Sequence, residues 1–157
     1  MYQLDYEIRH LTEVQVDQAY PLVRELVASM SVPEWQRFAG RLLASGRGLR
    51  RESGIIAALG PGSVYFRGLC GYRIFPDPSG RDLLIAGCFA VPATIDCESV
   101  ARALIVACQA VADAHGCESV EVHLSERNRW IEPLLLDAGY GVDSTAYVRR
   151  VGTGYRH

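Results

Sequence analysis

Along this chain of 157 residues the spacing of apolar positions switches between two periods, and the switches mark the elements. Tyr6 to Arg9 (YEIR) alternates, which predicts a short first strand. Val14, Ala19, Leu22, Val23, Leu26 and Val27 then recur at helical spacing. Thr12 is placed to cap that helix, with Glu13 and Asp17 early in it, where the helix dipole favours acids. Pro21 predicts a kink or a division. Ser31, with Pro33 just behind it, opens a second helix running to Leu43 and carrying Trp35, Phe38, Leu42 and Leu43.

After a polar, glycine-bearing loop (SGRGLRRESG) the period shortens. GIIAALG, SVYFRGLCGYRIF and DLLIAGCFAV predict three consecutive strands, separated by the turn signals Gly60-Pro61-Gly62 and PDPSGRD. A helix is expected from near Asp96 to about His115, with Gly116 to stop it. Its apolar positions spread almost all round, so it should lie buried against a sheet. SVEVHLS is a further strand. RNRWIEPLLLDAG is a short helix begun or bent near Pro133 and stopped at Gly139, and TAYVRRV is a closing strand. The order β-α-α-β-β-β-α-β-α-β, without repeat or linker, predicts one mixed α/β domain over residues 1–157.

Composition changes this picture little. The chain is 49% hydrophobic and 22% charged, ordinary for a globular protein. A net charge of −2 gives no reason to expect nucleic acid or an acidic membrane as partner. No apolar run reaches the roughly 18 residues of a membrane span, and MYQLDYEIRH does not read as a signal peptide. A cytoplasmic location is the expectation. Cys70, Cys88, Cys97, Cys108 and Cys117 form no CxxC pair, so buried reduced thiols are expected rather than disulfides or a metal site.

Three local signals coincide with this element order. Gly71 lies inside a strand of the meander, FAVPA (89–93) ends the next strand, and Asn128 precedes LLLDAGY (134–140). With these, the chain resembles the GNAT acetyltransferase superfamily over nearly its whole length. The resemblance implies a mixed, mostly antiparallel sheet flanked by helices. It also implies direct transfer of an acyl group from acetyl-CoA to a small-molecule or protein amine. The pantetheine arm would lie between the fourth and fifth strands, against the backbone of Phe89, Ala90 and Val91 and near Asn128. The pyrophosphate would meet the backbone of Ser99, Val100, Ala101 and Arg102, because a helix N-terminus offers unpaired N–H groups and partial positive charge. Homodimers are common in the superfamily.

The chain departs from the superfamily pattern in several places. The glycine-rich pattern Q/R-x-x-G-x-G/A falls on Asp96-Cys97-Glu98-Ser99-Val100-Ala101. Ala101 fits, Ser99 replaces a glycine, and Asp96 replaces a basic or amide residue. Asp96 is expected to cap the helix and so compete with phosphate. Each of Asp96 and Glu98 would cost about 1 kcal/mol at ~4 Å from a pyrophosphate in water, with Arg102, Arg127 and Arg129 available to offset it. Leu135 stands where many members carry an acidic tyrosine, leaving Tyr147 as the candidate acid. Ile131 replaces a small residue and is expected to narrow the CoA channel.

Glu121 and His123 share a strand face, and either is a candidate base, since imidazole titrates near neutral pH. A strand histidine held by hydrogen bonds is the other reading of His123. Cys97 at a helix start, and Cys88 if its strand adjoins that of His123, raise a nucleophilic thiol against the plainer reading of packed thiols. Three functions follow: an N-acyltransferase; a catalytically degenerate binding or regulatory module of the same fold that does not use CoA; and, more remotely, a cysteine hydrolase.

Overall fold

A computed structural model describes residues 6–44, 52–76, 78–142, 147 and 149. Strand β1 (Glu7–His10) leads into a 3₁₀ turn (Glu13–Gln15) and helix α1 (Val16–Leu26), and α2 (Val32–Ala44) follows. The meander is β2 (Ser53–Leu59), β3 (Phe66–Phe75) and β4 (Leu83–Ala90). Then come α3 (Cys97–Ala114), β5 (Ser119–Val122), a 3₁₀ stretch (Glu126–Ile131) and α4 (Glu132–Asp137). The expected closing strand, TAYVRRV, lies outside the described residues apart from Tyr147 and Arg149.

Local chemistry accounts for most of the boundaries. The Thr12 N–H donates to Gln15 Oε1 at 3.0 Å, which closes the first turn. Ser31 Oγ accepts the Glu34 N–H while Glu34 Oε1 accepts the Ser31 N–H, each at 3.3 Å: a reciprocal capping box that opens α2. Gly116 (φ +70°) and Gly139 (φ +92°) sit in the left-handed region just past α3 and α4. There the N–H groups of Cys117 and Tyr140 reach back to the carbonyls of Ala112 and Leu135 at 2.9 and 3.0 Å. Pro21 does not divide α1. It lies within one continuous helix, and the change of geometry comes earlier, where the 3₁₀ turn passes into α1.

The sheet order is β1-β2-β3-β4-β5, so each strand pairs with its predecessor. Among the described residues all pairs are antiparallel except β4–β5, which is parallel and connected by α3. Both faces are covered, and β2 is buried along its whole length. Ile56, Cys70, Tyr72, Leu84 and Ala86 pack with α3 and α4 on one face. Ile55, Ala57, Leu69 and Ala90 pack with α1 and α2 on the other. On the α3 face Gly68 is obligatory: a Cβ there would lie 2.6 Å from Cγ1 of Val100. Glycine lets β3 come this close to the first turn of α3. None of the described helices is long and apolar enough to cross a membrane.

Candidate functional site

The parallel pair β4–β5 is in register only from Leu83↔Ser119 to Ala86↔Val122, with one further bond from the His123 N–H to the Ala86 carbonyl at 2.9 Å. At this point β4 breaks its own pattern. Gly71 of β3 faces Gly87 and Leu69 faces Ala90, so Cys70 alone opposes both Cys88 and Phe89. That is a β-bulge, and Cys88 takes up the extra residue with φ +54°, in the left-handed region that a residue with a Cβ seldom enters. Beyond the bulge the two strands separate.

The separation opens into a cavity of about 250 Å³. Its walls come from α1 (Val23, Leu26), α2 (Trp35, Phe38), the sheet (Ile55, Leu69) and the bulge (Cys88–Ala90). Ser125, Arg127 and Asn128 supply its polar edge. Arg127 Nη1 donates to the Leu26 carbonyl at the end of α1, joining the two sides of that edge. Asn128 is buried. Its Nδ2 donates to the Phe89 carbonyl at 2.9 Å, and its Oδ1 has no hydrogen-bond partner among the described residues. A second cavity of about 350 Å³ adjoins the first, sharing Phe38, Gly71 and Cys88, and it includes Arg73, Gly87 and His123.

No family model matches the chain, and no curated protein does. Solved structures do. Over 94% of its length the chain is similar to 99% of a probable acetyltransferase (TM-score 0.78, 19% identity). Over 94% it is similar to 100% of a ribosomal-protein-alanine N-acetyltransferase from Brucella melitensis biovar Abortus 2308 (TM-score 0.75, 16% identity). Over 96% it is similar to 97% of an aminoglycoside N-acetyltransferase solved in complex with CoA (TM-score 0.73, 15% identity).

The chain has the GNAT acetyltransferase fold. In this GNAT frame the residues singled out from the sequence fall into separate places. Phe89, Ala90 and Asn128 meet at the first cavity, while Val91 lies next to them, buried in the α3-side core. Glu121 lies on β5 and His123 directly after its end, joined at 3.1 Å between Oε2 and Nε2, and His123 borders the second cavity beside Cys88. Tyr147 is not brought to either cavity: its side chain is 95% exposed. Ile131 and Leu135 do not narrow the cleft, because both are buried in the core between the sheet and α3.

The start of α3 differs from expectation. Val100 and Ala101 are buried, Ser99 and Arg102 exposed. The Val100 N–H already donates to the Asp96 carbonyl at 3.0 Å. Ala101 and Arg102 lie deeper, where N–H groups bond within the helix, so of these four residues only Ser99 has its N–H in the unpaired first turn. Asp96 makes no side-chain cap. Its Oδ1 accepts the Thr94 hydroxyl at 2.7 Å, and its Oδ2 accepts the Tyr6 hydroxyl and Arg67 Nη2, each at 2.8 Å. Burial alone would raise its pKa, but these three hydrogen bonds and the Arg67 charge hold the carboxyl well below the usual carboxylate range. Burial and the Asp96 carboxylate push the Tyr6 phenol up to about 12.

The acid that breaks the glycine-rich pattern is therefore neutralised by its own partner. Sequence reasoning missed Arg67 and Tyr6, which lie 29 and 90 residues away from Asp96 and carry no local signal of the pairing. The three arginines available to offset the acids are engaged elsewhere: Arg102 with Asp137 at 3.3 Å, Arg129 with Glu126 at 3.6 Å, and Arg127 with the Leu26 carbonyl. Cys70 and Cys108 are buried with their sulfurs 3.5 Å apart. Cys88, expected to be buried, is exposed because the bulge turns it outward, yet partial desolvation by its neighbours still pushes the thiol upward, away from the thiolate a nucleophile needs.

Proposed function

We propose that this protein is an acyl-CoA-dependent N-acyltransferase acting on a small-molecule or protein amine. The observation that carries the reading is Asn128, a buried amide whose Oδ1 has no partner among the described residues, on the edge of an apolar cavity that opens where β4 and β5 part. An unpaired buried acceptor costs about 1–3 kcal/mol, and an amide N–H of a pantetheine arm would satisfy it. The residues present fit that arm. Asn128 and the backbone around Phe89 and Ala90 would hold it, and the first turn of α3 at Glu98 and Ser99 would face the phosphates. When bound, CoA supplies the acyl group as a thioester.

In direct transfer the amine nitrogen attacks the thioester carbonyl carbon. A C–N bond forms, the C–S bond breaks, and the CoA thiolate leaves with the electron pair. The proton lost by the amine goes to a base, for which His123, held by Glu121, is the candidate. The net proton ends on the CoA sulfur. Neither Leu135 nor Tyr147 is positioned to deliver it, and solvent in the second cavity is the simplest source.

One observation favours the alternative, a module of this fold that does not use CoA: Arg102, Arg127 and Arg129 are all engaged, so none stands ready for the phosphates. Calorimetry with acetyl-CoA at low and at physiological salt separates the two. Micromolar binding with modest salt dependence supports the transferase. No binding of acetyl-CoA or of longer acyl-CoA at millimolar concentration sinks it.

A further inference from the structure

The apolar cavity extends further than a two-carbon acyl group requires. A thioester held at the bulge would place its carbonyl near Cys88–Ala90 on β4. From there the space runs sideways across β3 to Leu69 and on to Ile55 of β2, roofed by α1 and α2. Pantetheine entering along the opening between β4 and β5 would leave that extension free. The occupant must therefore be part of the acyl group or part of the acceptor.

Charge decides between them. Among the described residues, the only charged one lining this cavity is Arg127, a cation, and no carboxylate lines it. An amine arrives as an ammonium ion and would find there neither a counter-ion nor a base. The adjoining cavity, with His123 beside it and Glu121 bonded to that ring, suits the amine. Phe38, Gly71 and Cys88 line both cavities, so the bulge lies at their junction, where a thioester carbonyl and an amine would have to meet.

We infer that the first cavity is an acyl-chain site and that the donor is an acyl-CoA with an apolar chain longer than acetyl. The inference rests on the acyltransferase reading. The transfer step is unchanged: the C–S bond of the longer thioester breaks, the C–N bond to the amine forms, and the chain stays in the cavity until the amide product leaves. Each methylene that moves from water into such a wall gains affinity, so affinity should climb with chain length until the cavity is full.

The test is calorimetry on the full-length chain with free CoA, acetyl-CoA, butanoyl-CoA and hexanoyl-CoA. The expected result is an affinity for hexanoyl-CoA at least tenfold above that for acetyl-CoA. That gain should disappear in Val27→Trp, which places a large ring at a wall residue that is 40% exposed. A thermal melt of the variant shows that it folds, and the wild-type series stands without it. Equal affinities along the series, with free CoA binding, overturn the chain site and leave the transferase reading intact. Equal affinities together with hexylamine binding that Val27→Trp abolishes overturn it too, by giving the cavity to the acceptor. No binding of any CoA species overturns both readings.

Discussion

Asp96 and Arg67 meet at 2.8 Å across the turn that opens α3, and the Tyr6 hydroxyl reaches the same carboxylate oxygen. The acid that opens α3 is thereby a tie holding the α3 turn to β3 and to the residue that precedes β1. Hydrogen bonds to a charged group contribute about 1.5–3 kcal/mol each, so Asp96→Asn should lower stability near neutral pH by ~2 kcal/mol.

The pH dependence follows from the two shifts. The Asp96 carboxyl is depressed, so its contribution is present above the ordinary value of about 3.9 and fades as pH falls through the folded value. The Tyr6 phenol is raised to about 12, so its contribution is present below the ordinary value of about 10 and fades as pH rises through 12. In urea titrations the gap between wild type and Asp96→Asn should be flat from pH ~5 to ~9 and close at both extremes. A gap that widens in acid would contradict the tie.

Gly68→Ala tests how closely α3 lies on the sheet. Its new Cβ would meet Val100 Cγ1 at 2.6 Å and Val91 Cγ2 at 3.2 Å, and branched side chains have little room to yield. A loss of about 1–3 kcal/mol is expected. Adding Val100→Ala should recover part of it; a neutral single variant would place α3 further from β3.

His123→Ala should slow transfer by about 100-fold or more at saturating donor, with donor affinity unchanged. Glu121→Gln should have the smaller effect, because it weakens the 3.1 Å hold on the ring without removing the base. Rates unaffected in both variants, in single-turnover measurements, would remove the pair from the reaction.

At Cys88 the backbone and the thiol make opposite demands. A residue with a Cβ in the left-handed region costs about 1–2 kcal/mol, so Cys88→Gly should be at least as stable as wild type and Cys88→Val clearly less so. Cys88→Ser should keep transfer activity, since the raised pKa of the thiol disfavours a nucleophilic thiolate. A Ser variant that is dead but folded would bring back a nucleophilic thiol.

The elements and their order were legible because the signals that set them are local: the serine box at Ser31, the glycines after α3 and α4, and the alternation of the meander. FAVPA and Asn128, far apart in sequence, pointed to residues that do line one cavity. What the sequence hid is long-range. Nothing near Asp96 announces Arg67 or Tyr6, so its side chain was read as a helix cap and a competitor of phosphate. Ile131 and Leu135 turn into the core rather than the cleft, since a helix reveals its buried face only relative to its neighbours. Tyr147 was reached for because an acid was wanted there, not because spacing placed it.

The parallel pair β4–β5 has a consequence for how this site changes over evolutionary time. Only parallel neighbours leave a sheet at the same end, so the junctions after β4 and β5 stand side by side whatever their side chains are. Much of what a ligand would meet there is main chain: the bulge, the Phe89 carbonyl and the first N–H groups of α3. A cleft founded on chain direction does not depend on which side chains line it, and a substitution there changes its chemistry before its place in the fold.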